Sequence, residues 1–427
     1  MSTEKKTYVL PIIMMIALFG MISFVTGLQN PMGIIVKSQF NASNFMSQLG
    51  NAANFIAYAF MGYPAGLLLQ RIGYKKTALA AITVGFVGVG IQYLSGQAGS
   101  FAVYLLGAFV AGFSMCMLNA VVNPMLNTLG GGGNKGNQLI QVGGSFNSLM
   151  ATIVPVLVGY LIADATKATI KDANPALFIA MGIFALAFIV LFFVKIPEPR
   201  LEKANTNVEK SNHSALSFRH FVLGAIAIFI YVGIEVGIPN IVNLFMTEGT
   251  AKGGLGIDTT TAGTVVGTYW FLMLIGRLVG AAVGAKVSSK AMLSLTSILG
   301  LVFVSLAIFL PTSTLVSMPV FQKDISFGMA SVPVNVLLLI LCGLCTSIMW
   351  GGIFNLAVEG LGKYTETASG IFMVMVCGGG ILPLIQGFAA DSFGFLSSYW
   401  VIAIGLAYLL YYALIGSHNV NKDIPVD

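Results

Sequence analysis

The sequence predicts an all-α membrane protein of twelve spanning helices arranged as two six-helix halves. Three observations predict it. Hydrophobic residues make up 57% of the 427 and charged residues only 8%, against roughly 25% charged in soluble globular domains. Apolar stretches of spanning length recur along the whole chain. The second set of stretches repeats spacings found in the first.

A helix needs about 20 apolar residues to cross the hydrocarbon core. Such stretches fall near 8–28, 46–70, 76–96, 101–123, 138–163 and 174–195. A second set falls near 218–246, 259–284, 290–311, 331–361, 367–390 and 396–416. These runs are too long for a membrane β-barrel and lack its period-2 alternation. The first run follows a short polar start and exceeds the core length of a signal peptide, so it reads as a retained spanning helix.

The longest polar stretch, residues 196–217, carries Pro197, Glu198, Pro199, Glu202, Lys203 and Lys210. It divides the chain into an N-terminal half (1–195), a cytoplasmic linker (196–217) and a C-terminal half (218–427). With both termini inside, only Lys37, Lys167, Lys171, Lys252 and Lys323 of the 21 basic residues face outward. That asymmetry fits an even number of crossings with cytoplasmic ends. The expected location is the inner (cytoplasmic) membrane, with the lipid bilayer as the standing partner.

Several function classes are disfavoured. The net charge of +6 is not organised as a basic stripe with interleaved aromatics, so nucleic acid is not an expected partner. Cys116, Cys342, Cys345 and Cys377 all lie in apolar stretches, and even the Cys342-x-x-Cys345 pair reads as small buried residues. No His/Cys/Asp cluster suggests a metal, and no catalytic constellation or cofactor motif is visible. The sequence reads as a transporter rather than an enzyme.

The halves echo each other. Pro155, Gly159 and Asp164 in and after helix 5 match Pro383, Gly387 and Asp391 in helix 11. Gly66 and Arg71-Ile72-Gly73 after helix 2, with Lys75 and Lys76, match Gly276-Arg277-Leu278-Val279-Gly280 after helix 8. Internal repeats of this kind are typical of secondary transporters.

Polar groups in spanning helices are costly and face a cavity or another helix. Asn119 and Asn123 are four apart and share one face of helix 4. Gln138, Gln141 and Asn147 line helix 5. Gln29 and Asn30 sit before Pro31, where a break in helix 1 is expected. Asn240 and Asn243 follow Pro239 in helix 7, where the helix either breaks, freeing carbonyls, or simply kinks. Asn355 lies in helix 10. Amides offer donors and an acceptor, which suits sugar hydroxyls, and Trp350, Trp270 and Tyr269 could cover the apolar face of a ring. The competing role for each amide is to join helices. Glu235 is the only acidic residue deep in a predicted helix. It is either a proton carrier or a fixed carboxylate for sugar hydroxyls or Na⁺. Arg71, Lys75 and Arg277 are assigned to cytoplasmic gating loops, with simple positive-inside anchoring as the alternative.

A resemblance adds to this reading. It rests on Pro64-Ala65-Gly66-Leu67 with Arg71-Ile72-Gly73-Tyr74-Lys75, on Asn123-Pro124, on Ser145-Phe146-Asn147-Ser148 and on Tyr231-Val232-Gly233-Ile234-Glu235-Val236. The most specific part is Ser347-Ile348-Met349, then Ile353-Phe354-Asn355-Leu356-Ala357 and Glu359-Gly360-Leu361-Gly362. It continues through Ala368-Ser369-Gly370 to Gly378-Gly379-Gly380-Ile381-Leu382-Pro383. In order and over nearly the whole chain, these blocks resemble the fucose and glucose/galactose proton symporter family of sugar transporters, in the major facilitator superfamily. The resemblance implies monosaccharide import by alternating access, driven by protons, through a cavity between helices 1, 4, 5 and helices 7, 10, 11. The chain departs from the family at three places. Fucose-type members carry carboxylates in helices 1 and 4, where this chain has Asn30 and Asn119. Their helix 10 continues Met-Phe-Pro-Thr, where this one reads Met349-Trp350-Gly351-Gly352. Coupling to Na⁺, uncoupled facilitation, and export of another small solute are the alternatives.

Overall fold

In hydrocarbon every backbone N–H and C=O must be bonded within its own segment, so long apolar runs become helices. The computed structural model describes residues 8–130, 133–162, 166–198, 213–283, 287–322, 326–421 and 423–426. Twelve of its helices are long and apolar enough to cross a membrane. The first six are α1 (Val9–Gln39), α2 (Leu49–Leu69), α3 (Arg71–Ala98), α4 (Phe101–Leu126), α5 (Val142–Leu161) and α6 (Ile170–Phe193). The last six are α7 (Arg219–Thr247), α8 (Thr259–Gly280), α9 (Ser289–Phe309), α10 (Val334–Val358), α11 (Gly370–Phe393) and α12 (Ser397–Gly416). The chain is a multi-pass membrane protein. Asp164 and Lys323, named above, lie outside the described residues.

The break expected at Pro31 is corrected, and of the two readings at Pro239 the broken helix is not found. Helix 1 does not stop at Pro31. It is interrupted only at Leu28, which keeps right-handed helical angles, and resumes over Gln29–Gln39. Pro31 falls in the first turn of that second segment, where its missing N–H costs nothing. Nor does α7 break at Pro239, since the helix runs from Arg219 to Thr247. A proline there leaves the carbonyl four residues back, that of Glu235, without its helical donor. The Tyr269 hydroxyl of α8 donates to that oxygen at 3.1 Å. Pro383 likewise frees the carbonyl of Gly379, and Asn51 Nδ2 of α2 donates to it at 2.8 Å.

The sequence repeat has a spatial meaning. Gly159 of α5 lets the start of α8 approach: a Cβ there would sit 3.3 Å from the Thr260 Cα. Gly387 of α11 does the same for the segment entering α2, with the Asn44 carbonyl oxygen at 2.9 Å. Thus α5 meets α8 and α11 meets α2 by equivalent glycines, one contact per half.

Between α9 and α10 the chain forms a hairpin that the sequence reading left unassigned. Strands β1 (Leu315–Phe321) and β2 (Phe327–Pro333) pair antiparallel, from Leu315 opposite Pro333 to Phe321 opposite Phe327. Met318, Val320, Ala330 and Val332 turn inward and Leu315, Phe327 and Met329 outward, the alternation expected of a strand packed on one face. Phe321 stacks on Phe271 of α8.

The turn between α2 and α3 is built on Gly73, whose φ is +81°. Glu198, just after α6, accepts from the N–H groups of Tyr74 (2.7 Å) and Lys75 (3.0 Å). A Cβ on Gly73 would lie 2.5 Å from that carboxylate. Gly73→Ala is therefore expected to destabilise the folded protein by about 1–3 kcal/mol from backbone strain, more if Glu198 is displaced. A thermal melt of purified protein in detergent checks this, and an unchanged melting temperature would count against the clamp.

Candidate functional site

The two halves meet most closely at the end of the bundle far from the linker. There Asn30 of α1 donates to Asn240 Oδ1 of α7 at 2.5 Å and accepts from the Asn243 amide. Asn240 in turn donates to Gln48 Oε1 at 3.0 Å. Lys37 pairs with Glu248 and donates to Asn44 Oδ1 at 2.6 Å. Asp391 of α11 accepts from the N–H groups of Asn44 and Phe45, both at 2.8 Å, which caps the short helix Asn44–Ser47. Asn30, Asn240 and Asn243 were expected to contact substrate, but in this arrangement they bond to one another across the halves. Gln29 is buried and accepts from Tyr104 of α4 at 3.0 Å, a link inside its own half.

Toward the linker end the contact narrows, with α11 still packed on α2 as far as Gly62 and Val374. Among the described residues, the cross-half hydrogen bond nearest that end is Arg277 to Gly144, and α4 and α10 share no extended packing. The residues facing each other around this level form the candidate site.

On the N-terminal side stand Asn119, Asn123 and Asn147, all half-buried. Asn119 Nδ2 donates to the Tyr58 hydroxyl at 3.0 Å and to the Met115 carbonyl at 3.1 Å. Asn123 Nδ2 donates to the Asn119 carbonyl at 3.0 Å, and Asn147 Nδ2 to the Phe19 carbonyl at 2.9 Å. A carbonyl can only accept, so these partners fix which amide atom is nitrogen. Each amide thus ties its NH₂ group to its own half, Asn119 through two hydrogen bonds and Asn123 and Asn147 through one each. Its Oδ1 accepts no hydrogen bond among the described residues and is not sealed in the interior. Asn147 lies one helical turn beyond Gly144, on the same face of α5.

On the C-terminal side stand Glu235 and Arg277. The assignment of Arg277 to a gating loop is corrected: it lies inside α8, its side chain 16% exposed, with Nη2 3.5 Å from Glu235 Oε1 and Nη1 donating to the Gly144 carbonyl at 2.7 Å. A carboxylate at this depth is stable only with a partner of opposite charge, and a glycine-flanked stretch of α8 delivers it. The fully buried Tyr231 hydroxyl, one turn before Glu235, neighbours the pair. Trp350 is half-buried with its ring centroid 6.3 Å from that of Tyr231. Tyr269 is fully buried and holds the Glu235 carbonyl and Thr346, so its ring is committed to packing.

The remaining expected residues lie elsewhere. Asn355 is exposed and turns toward Ser289 at the start of α9, with Nδ2 3.5 Å from its Oγ, apart from the other amides. The side chains of Gln138 and Gln141 lie outside the described residues. Arg71 is exposed beside the Gly73 turn, and Lys75 Nζ donates to the Phe192 carbonyl at 2.8 Å. Sequence reasoning missed Tyr58, Gln48 and Asn51. The polar positions of α2, spaced three or four apart, were the available signal.

The far-end contacts make a prediction of their own. Burial works to raise the Glu248 carboxyl, but the hydrogen bond and charge of Lys37 outweigh it and hold the group below its ordinary range. A depressed carboxylate stabilises the contact above its ordinary range, and that contribution is lost as pH falls through the lowered value. Lys37→Ala should therefore open the far end by a few-fold at neutral pH, as expected for an ion pair worth about 1 kcal/mol. Alkylation of a cysteine introduced at Thr247, which is buried one helical turn beyond Asn243, measures this. An unchanged alkylation rate in the variant would mean that the pair does not hold the end closed.

Comparison with known proteins gives a consistent result. The Major Facilitator Superfamily model matches residues 13–383. The chain is 30% identical over 422 residues to the glucose/galactose transporter of Brucella abortus biovar 1 (strain 9-941), covering 98% of this chain and 97% of that one. It is 20% identical to the L-fucose-proton symporter of Escherichia coli (strain K12), covering 92% and 89%. The crystal structure of the transporter FucP in the outward conformation superposes with a TM-score of 0.70 at 20% identity, covering 97% of this chain and all of that one.

Proposed function

The chain belongs to the major facilitator superfamily, within it to the fucose and glucose/galactose symporter family, and we propose that it imports a monosaccharide by alternating access, coupled to protons through Glu235. The halves are taken as residues 1–195 and 218–427, joined by a cytoplasmic linker at 196–217, in the inner membrane with both termini inside. The linker end is then the cytoplasmic end, and the arrangement described is open to the cytoplasm and closed outside.

The observation that carries this reading is the set of three amides facing an ion pair. Asn119, Asn123 and Asn147 each present an oxygen acceptor, and Asn123 and Asn147 each keep one N–H beyond the bond to their own half. Sugar hydroxyls are the donors that match such acceptors. The half-buried Trp350 supplies an aromatic face for the apolar side of the ring. Opposite them the Glu235–Arg277 pair offers an acceptor and donors at the same level. The relatives named as glucose/galactose transporters and as an L-fucose-proton symporter support a sugar as substrate and a proton as the coupling ion. The family's helix 1 and helix 4 carboxylates are absent, so Glu235 is the group left to carry the proton.

Radiolabelled glucose, galactose and fucose uptake into proteoliposomes tests the reading, with pH and Na⁺ gradients imposed separately. Accumulation driven by the pH gradient alone is the expected result. Accumulation driven only by Na⁺ would replace the proton, and uptake that merely equilibrates would make the protein a facilitator. No uptake of any monosaccharide would overturn the substrate class.

A further inference from the structure

Arg277 touches both halves of the molecule. One nitrogen of its guanidinium lies 3.5 Å from Glu235 of α7, and another donates to the Gly144 carbonyl of α5 at 2.7 Å. A charge-assisted N–H···O bond is ordinarily about 2.7–2.9 Å long, so the bond to the neutral carbonyl is tight and the one to the carboxylate is loose. The planar fork of arginine reaches the two groups with separate nitrogens, whereas a lysine would have to meet both from one nitrogen. Arg277 thus connects the ion pair it forms with Glu235 to the contact between halves.

We infer that Arg277 is the positioning residue through which the charge of Glu235 biases the two halves toward one arrangement. This rests on the reading of Glu235 as the proton carrier. An ionised Glu235 gains from an arrangement that supplies a guanidinium, whereas a neutral one gains little. Within the C-terminal half an ionised Glu235 holds the guanidinium where the same side chain fastens α8 to α5 through Gly144. Loss of the proton therefore favours this arrangement, and gain of a proton releases it. Coupling of this kind between a bound proton and a global state is reciprocal. The groups that bear on Glu235 are Arg277 and Tyr269 from α8 and Tyr231 from its own helix. Of these only Arg277 carries a charge that can pair with the carboxylate, so the response passes through the ion pair.

The test uses the full chain in liposomes with spin labels on cysteines introduced at Lys171 and Lys252, one exposed position on the far end of each half. The native cysteines are buried and do not compete. Distances are measured at mildly acidic and at alkaline pH, both above the range in which Glu248 titrates. In wild-type protein, acid should raise the population with separated far ends by about five- to tenfold relative to the closed one, the lower part of ordinary coupling strengths. Glu235→Gln should show the acid-like distribution at both pH values. Glu235→Gln with Arg277→Gln, which leaves no unpaired charge, should also be insensitive to pH, with the closed population further reduced because the Gly144 tie is gone. Arg277→Lys should keep the charge effect and lose part of the closed population. A double variant indistinguishable from Glu235→Gln alone would overturn the role of Arg277 as a tie. A wild-type pH response retained by Glu235→Gln would instead remove Glu235 as the carrier, which is a separate failure.

Discussion

Glu235→Gln should abolish accumulation of sugar driven by a pH gradient while leaving sugar binding and exchange between equal pools intact. Each pH unit across the membrane is worth about 1.4 kcal/mol per proton, which sustains about tenfold accumulation for one proton per sugar. A glutamine cannot take up or release that proton in any accessible range, so the accumulation ratio should fall to about one for every pH unit imposed. The substitution keeps the shape of the side chain and an acceptor oxygen for Arg277. It also leaves the Glu235 backbone carbonyl, held by Tyr269, as it was. Folding should survive, although the guanidinium loses its counter-charge. Exchange needs both arrangements to be reachable with sugar bound, which does not require proton release. Measured in the same vesicles, the two rates separate coupling from transport. Full accumulation by the variant would place the proton elsewhere, and loss of exchange as well would point to a carboxylate that binds the sugar directly.

The fold was legible because lipid makes its demand simple. Long apolar runs, charge asymmetry and a polar linker sufficed for twelve spans, and the paired glycines at 159 and 387 marked equivalent contacts before any coordinates. Proline was read less well. Pro31 was expected to break its helix and Pro239 either to break or to kink it, but Pro31 sits in a first turn, and at Pro239 another side chain takes the released carbonyl. Tyr269 does so for Glu235, and that partner lies 34 residues away in sequence. The position of Arg277 was misread for a related reason. A basic residue near a helix end looks like a loop anchor until its partner is known, and the partner is Glu235 on another helix. The hairpin of β1 and β2 carries period-2 alternation in Val316, Met318 and Val320, but the run is short beside the spanning helices around it. Among the amides, chemistry was legible and depth was not. Asn30, Asn240 and Asn243 resemble Asn119 and Asn123 in every way a sequence records, yet they lie in the closed far end.

That difference in depth sets up the second large effect. Alanine at Asn119, Asn123 or Asn147 should each weaken sugar binding by about 1–3 kcal/mol, roughly five- to 150-fold in Kd. The cost arises because a sugar hydroxyl that enters the site and finds no acceptor has given up water for nothing. The three positions should not behave alike. Asn119→Ala also strips the Tyr58 hydroxyl of its partner and so carries a structural cost. Asn123→Ala loses only a bond to a backbone carbonyl of its own helix, which makes it the cleaner probe. Asn147 is on a different helix from Asn119, so their effects should add to within about 0.5 kcal/mol if both contact sugar at separate hydroxyls. Alanine at Asn240 or Asn243 provides the contrast. These amides bond across the closed far end, so their loss should shift the balance between arrangements and speed opening of that end, with little change in the affinity of the site nearer the linker. Equilibrium binding measured with the far end held shut by a cross-link between cysteines introduced at Lys37 and Glu248, which touch there, isolates that affinity. In that form Asn123→Ala and Asn147→Ala should bind weakly and Asn243→Ala should bind like wild type. Equal losses in all three would merge the two groups of amides into a single site.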